Sequence, residues 1–138
     1  MKTSLKAVAT LMRDIDYCMF TTQTARGALA SRPMSNNREV TYKGSSYFFT
    51  WDGSRTVQDI REHSALVTLG FRGKGRIFLS VAGRAKLIKD KATMAEHWVD
   101  ELSRWFEDGL ETEGIMLIHV AAKRIKLWKD EGDAELVL

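Results

Sequence analysis

Apolar and polar positions along this chain follow two rhythms, and the changes from one to the other mark out its elements. Leu5, Val8, Leu11, Met12 and Ile15 recur at helical spacing, with Lys2, Lys6, Arg13 and Asp14 on the opposite side. This predicts an amphipathic helix over residues 3–14. From Tyr17 the run YCMFTTQ is β-rich, and a turn at Thr24-Ala25-Arg26-Gly27 leads into GALASRPM, so the two segments predict a hairpin. Pro33 lacks an amide donor and belongs near the end or edge of the second strand. A third strand, SYFFTW over 46–51, follows the turn signal Lys43-Gly44-Ser45. Asp52-Gly53-Ser54 breaks it, and Ser54 suits the N-cap of a short helix carrying Val57 and Ile60.

Two long strands come next, 65–71 and 76–88, joined by the basic link Arg72-Gly73-Lys74-Gly75. Gly83 inside the second predicts a bulge or bend. Asp90 suits the cap of a second long helix, ended by Asp108-Gly109, in which Met94, Trp98, Leu102, Trp105 and Phe106 form an apolar stripe. Strands over 114–121 and 124–128 and then a polar tail complete the chain. Six or seven strands with only short helices between them predict one mainly β domain over 1–138, a small antiparallel barrel rather than a parallel sheet.

Composition narrows the class. The 138 residues are 44% hydrophobic and 28% charged, the profile of a globular protein with room for a proper core. No stretch approaches the ~20 apolar residues of a membrane span. The N-terminal residues turn acidic at Asp14 and Asp16 before an apolar run develops, so no secretory signal is expected. Cys18 is the single cysteine, which removes intramolecular disulfides and cysteine clusters and fits a reducing cytoplasm. A net charge of +3, spread without charge blocks, favours a small anion over nucleic acid.

Candidate chemistry concentrates at Phe48-Phe49-Thr50-Trp51-Asp52-Gly53-Ser54-Arg55-Thr56, where a strand gives way through a glycine turn to a helix. Free amides and positive dipole at a helix start attract phosphate. Arg55 adds a planar fork of charged donors, and Arg32, at the end of a neighbouring strand, is a second positive group. The plain alternative is that Ser54 only caps its helix and Arg55 is solvated. Trp98, Trp105 and Phe106 have core spacing, although a Trp-Phe pair before Asp-Gly also suits covering a flat ring. The link Arg72-Gly73-Lys74-Gly75 lacks the context of a nucleotide loop and reads as a hairpin connection. His63, His97 and His119 are far apart, with neither HExxH nor GxSxG present, so hydrolytic and metal chemistry find no support. Cys18, in an apolar strand, reads as an inert buried thiol.

Several short motifs occur in one order: Ser31-Arg32-Pro33-Met34; Phe48-Phe49-Thr50 followed by Ser54; Lys74-Gly75-Arg76; Ser80-Val81-Ala82-Gly83-Arg84-Ala85; Trp105-Phe106-Glu107-Asp108-Gly109; and Trp128 in the last strand. Together, from about Thr10 to Trp128, they resemble the general stress protein 26-like group of the pyridoxamine-phosphate-oxidase-like FMN-binding split β-barrels. The resemblance implies a homodimer with FMN at the interface and a small redox partner such as NAD(P)H. It implies that Arg32, Pro33 and Met34 line the flavin ring and ribityl chain beside Phe49 and Thr50. Ser54 and Arg55 would hold the phosphate, and Trp105 and Phe106 would come from the partner subunit. Thr56 stands where the family often has lysine, and Glu107 where it has proline. The C-terminal Arg and His of true pyridoxamine-phosphate oxidases have no counterpart in LWKDEGDAELVL. The expected function is therefore an FMN-dependent oxidoreductase without vitamin B6 oxidation. Its rivals are a non-catalytic flavin carrier or sensor, and the same barrel holding haem or a deazaflavin.

Overall fold

The computed structural model describes all 138 residues, Met1–Leu138. In chain order it holds α1 (Leu5–Met12), β1 (Tyr17–Gln23), β2 (Leu29–Ser35), β3 (Ser45–Trp51), α2 (Arg55–Glu62), β4 (Leu66–Arg72), β5 (Phe78–Ile88), α3 (Lys91–His97), β6 (Ile115–Lys129) and β7 (Gly132–Val137). All pairings are antiparallel, in the order β2-β1-β4-β5-β6-β3. β7 lies end to end with β3 along the same edge of β6, β3 pairing Ile115 to Ala121 and β7 pairing Arg124 to Lys129. No helix is long and apolar enough to cross a membrane.

The sheet curls on itself. Phe20 of β1 and Phe48 of β3 are not on neighbouring strands, yet their rings meet edge to face at 5.3 Å across the interior. The result is a split barrel whose seam runs between β2 and β3, the two ends of the strand order. Alternate positions fill the interior, as the period of a strand requires: Cys18 and Phe20; Val67, Leu69 and Phe71; Leu79, Val81 and Ala85. Val8 and Met12 of α1 and Val57 and Ile60 of α2 complete this cluster. Ser54 caps α2 as expected, accepting from the Val57 amide, and α1, shorter than the expected 3–14, is capped by Ser4, which accepts from the Ala7 amide.

The expected break between two C-terminal strands is absent. β6 runs unbroken for 15 residues, and its inward positions change parity, from Met116, Ile118, Val120 and Ala122 to Ile125 and Leu127. The cause is a bulge: Ala82 pairs with Arg124 but Gly83 pairs with Ala122, so Lys123 is the extra residue. A phase jump in a continuous strand reads in one dimension as a strand end. Gly83 does mark the irregularity, as expected, although the inserted residue sits on the opposite strand. The polar tail also belongs to the sheet, because Ala134 and Leu136 alternate inward and β6 offers them a free edge.

The second long helix is the other correction. α3, capped by Asp90, stops at His97; Trp98 and Val99 are extended, and a 3-10 turn covers Asp100–Arg104. Packing overrides helical propensity here. Leaving the helix lets Trp98 meet Phe49 edge to face at 5.5 Å. Trp98, Leu102 and Phe106 join Met94, Ile115 and Leu117 in a second cluster on the outer face of β3 and β6. Four members of the predicted stripe thus stay together without a continuous helix; Trp105 leaves it.

Candidate functional site

The residues expected to form the site fall into two adjoining groups. The first lies where α2 begins. The Ser54 hydroxyl accepts from the Val57 amide at 3.2 Å, which leaves its own proton free to donate. The amides of Arg55 and Thr56 open the first turn, where no preceding carbonyl can receive them. Arg55 is exposed and Thr56 is buried.

Arg32, on β2, is tied to the inner side of this helix. Its Nη1 donates to the Phe20 carbonyl at 3.1 Å and to the Thr22 hydroxyl at 2.8 Å. Nη2 lies 3.6 Å from Oδ2 of Asp59, which accepts from the Thr22 hydroxyl at 2.7 Å. The Arg32 side chain is 20% exposed and that of Asp59 only 2%. Burial holds the Arg32 pKa below its ordinary value; Asp59 opposes this, and Arg55 is close enough to add to it. Two guanidiniums therefore share one neighbourhood, which favours an anion between or beside them.

The second group lines a cavity of about 340 Å³ in the seam between β2 and β3. Pro33 and Met34 line it from β2, Phe49 and Thr50 from β3, and Trp105 and Phe106 from the segment after α3. Phe106 is 3% exposed and belongs to the second cluster, with its ring tilted on Trp51 at 4.7 Å. Trp105 is 53% exposed, and the Arg104 guanidinium lies 5.6 Å from its ring centre. Trp105 and Phe106 thus share one cavity with Pro33, Met34, Phe49 and Thr50 of the same chain. Arg32, Ser54, Arg55 and Thr56 are not part of this lining. Met34 and Arg32 nonetheless lie two positions apart on β2, about 7 Å along the strand, so the groups adjoin.

A larger cavity of about 700 Å³ adjoins the seam and shares Asn36, Asn37, Arg38, Glu39, Tyr47, Phe48 and His97 with it. Arg38 is held by the Asp16 carboxylate and, through Nε, by the Arg13 carbonyl at 2.9 Å. Tyr47 is stacked between two imidazoles, His97 at 3.5 Å and His119 at 4.7 Å between ring centres. His119 shares a 2.9 Å hydrogen bond with the Ser45 hydroxyl. Burial first, then His97 and Lys86, push its pKa down. His63, by contrast, caps the C-terminus of α2, and Cys18 is buried with its thiol pushed up to about 12 by desolvation.

Sequence reasoning passed over Asp59, Thr22 and Tyr47, and it weighed His97 without finding its ring partner. Asp59 carried little signal: two residues from Val57 and one from Ile60, it sits at the margin of the face they bury, and only the docked helix makes it a buried carboxylate that needs a partner. The stacking of Tyr47 on residues from α3 and β6 had none, because 50 and 72 positions separate the three rings.

The model of the family described as "pyridoxamine 5'-phosphate oxidase like" matches residues 3–138. No curated protein matches the chain. Among solved structures, a protein from Clostridium acetobutylicum related to general stress protein 26 is similar, with a TM-score of 0.83 at 15% identity, over 97% of this chain and 94% of that one. A general stress FMN/FAD binding protein from Xanthomonas citri superimposes with a TM-score of 0.72 at 22% identity, over 93% and 87%. A heme binding protein from Mycobacterium smegmatis shares the fold with a TM-score of 0.78 at 9% identity, over 99% of this chain but 59% of its own.

Proposed function

The chain belongs to the pyridoxamine 5'-phosphate oxidase-like family, and from that premise we propose that it is an FMN-binding oxidoreductase of the general stress protein type. The observation that carries the reading is that Arg32 is held against Asp59 on the inner side of α2, one turn from Arg55 and Ser54 at its start, next to an aromatic-lined seam. The donor set suits the cofactor: a phosphate matches two guanidiniums, a hydroxyl and first-turn amides. A flat ring matches a cleft walled by Pro33, Met34, Phe49 and Thr50. When bound, the flavin supplies the redox chemistry. The chain's own residues then bind its phosphate, fix the plane of its ring and keep water from the seam. NAD(P)H or another small reductant is the expected donor. The absence of an Arg–His pair in the C-terminal segment, which forms β7, supports a substrate other than a B6 vitamer.

The same reading includes a homodimer acting in the cytoplasm. The outer face of the sheet exposes Tyr17, Met19, Leu66, Phe78 and Trp128 on four adjacent strands, β1, β4, β5 and β6. In the register, Phe78 lies directly beside Trp128. An apolar patch of this extent on a charged chain suits burial against a second copy.

The test is a titration of apo-protein with FMN, followed by flavin fluorescence, beside Arg55→Ala. Wild-type binding should be tight, and loss of one charge-assisted phosphate contact should weaken it about 10-fold or more. A visible spectrum with flavin bands that bleach on adding NAD(P)H supports the oxidoreductase. Flavin bands without bleaching leave a carrier. A Soret band or an absence of FMN binding removes the FMN reading.

A further inference from the structure

We propose that Asp59 and Thr22 form a buried latch that positions Arg32 to receive a phosphate, and so determine the preference of this site for a phosphorylated ligand. The inference rests on the FMN reading and goes beyond it to residues outside both groups of expected contacts.

Arginine carries five N–H donors. Both on Nη1 are spent inside the protein, on the Phe20 carbonyl at 3.1 Å and the Thr22 hydroxyl at 2.8 Å. Thr22 Oγ1 and Asp59 Oδ2 are themselves 2.7 Å apart and lie across the Nη1/Nη2 end of the guanidinium. No protein acceptor meets Nε. The Nε/Nη2 edge therefore keeps a pair of parallel donors, the arrangement that grips a phosphate side-on. The Thr22 hydroxyl accepts from Arg32 and donates to Asp59, so its single proton fixes the direction of the whole chain of bonds.

The latch is also better buried than the group it holds. Asp59 is 2% exposed and Thr22 1%, whereas the Arg32 side chain is 20% exposed. β2 is an edge strand, so little else restrains a long side chain there. With Thr56 in the position the family often gives to lysine, Arg32 and Arg55 are the cations of this neighbourhood, and a misdirected Arg32 has no substitute. A counter-charge 3.6 Å from Arg32 would by itself weaken attraction for phosphate. Positioning outweighs that cost if an ordered two-donor fork holds phosphate better than a freely rotating cation of greater net charge.

The experiment compares FMN with riboflavin, which lacks the phosphate, by fluorescence titration of wild type, Thr22→Val and Asp59→Asn, with thermal melts alongside. Wild type should favour FMN at least 10-fold. Both variants should lower that ratio about 5-fold or more while riboflavin affinity stays unchanged, since a general loosening of the fold would weaken both ligands alike. Thr22→Val is nearly isosteric and leaves net charge alone, so it carries the test if Asp59→Asn does not fold. An unchanged ratio in Thr22→Val overturns the proposal. So does tighter FMN binding by Asp59→Asn, which would make Asp59 a mere counter-charge. A wild type that binds both flavins equally refutes the latch but keeps a flavin site, whereas one that binds neither removes the cofactor reading as well.

Discussion

Gly83→Ala tests the bulge that sets the phase of the longest strand. A Cβ built on Gly83 would lie 2.5 Å from the Ala121 carbonyl oxygen, 3.0 Å from Cγ1 of Val120 and 3.1 Å from the Ala121 carbonyl carbon. The first of these is deep in the repulsive range for nonbonded atoms, and the obstacle is backbone. β6 is held by β5 on one side and by β3 and β7 on the other, so it cannot retreat without disturbing a ladder. Overpacking of this kind costs about 1–3 kcal/mol, and a backbone obstacle argues for the upper end. Against this, alanine restricts the unfolded chain and returns about 0.4–1 kcal/mol. The net loss is about 2 kcal/mol. For a domain of this size that lowers Tm by about 8 °C, read from a circular dichroism melt. The control is Gly53→Ala, where an added Cβ meets nothing within 4 Å; it should melt within about 2 °C of wild type. A Gly83→Ala protein that melts with the control would refute the close approach and, with it, the bulge as the cause of the parity change.

Three further expectations follow from the packing and the charges. Phe106→Ala should cost about 3–4 kcal/mol in a urea titration, because the ring is 3% exposed and fills the second cluster, whereas Trp105→Ala should stay within about 0.5 kcal/mol. The Cys18 thiol, raised by burial from 9.0 to about 12, should resist iodoacetamide at pH 8 until the protein is unfolded. Since the folded state disfavours its ionised form, stability should fall as pH rises above 9.0, by up to about 1.4 kcal/mol per unit, and Cys18→Val should flatten that slope. His119 titrates below the ordinary 6.5, so its contribution is present above that value and is lost on acidification through it. An NMR titration placing the His119 imidazole at or above 6.5 would contradict the buried stack.

Much of this molecule was legible in one dimension. Helix starts at Ser54 and Asp90, the amphipathic first helix, the hairpin of β1 and β2, and the strands β3 to β5 follow from caps, turns and periodicity, all of which act between residues close in sequence. The pairing of free first-turn amides with Arg55 is legible locally too, because a strand, a glycine turn and a helix start lie side by side in sequence. What escaped depends on contacts between distant segments. The parity of β6 changes because Gly83 lets Ala121 approach, and no property of residues 115–129 alone announces it. The helix after Asp90 ends early because Trp98 is better placed against Phe49, 49 positions away, than along a helix.

The sequence by itself determined a mainly β barrel with short helices and a capped helix start at Ser54. Hydrophobic period, capping and turn chemistry are local, and local terms sum along the chain in the order they are written. Only the tertiary structure decided which chemistry-bearing side chains meet. Curling the sheet brings β2 opposite β3 and opens the seam, and docking α2 against β1 sets Asp59 beside Thr22 and Arg32. A carboxylate on a buried helix face declares that it needs a partner, but burial in three dimensions, through the cost of an unpaired charge, selects which one.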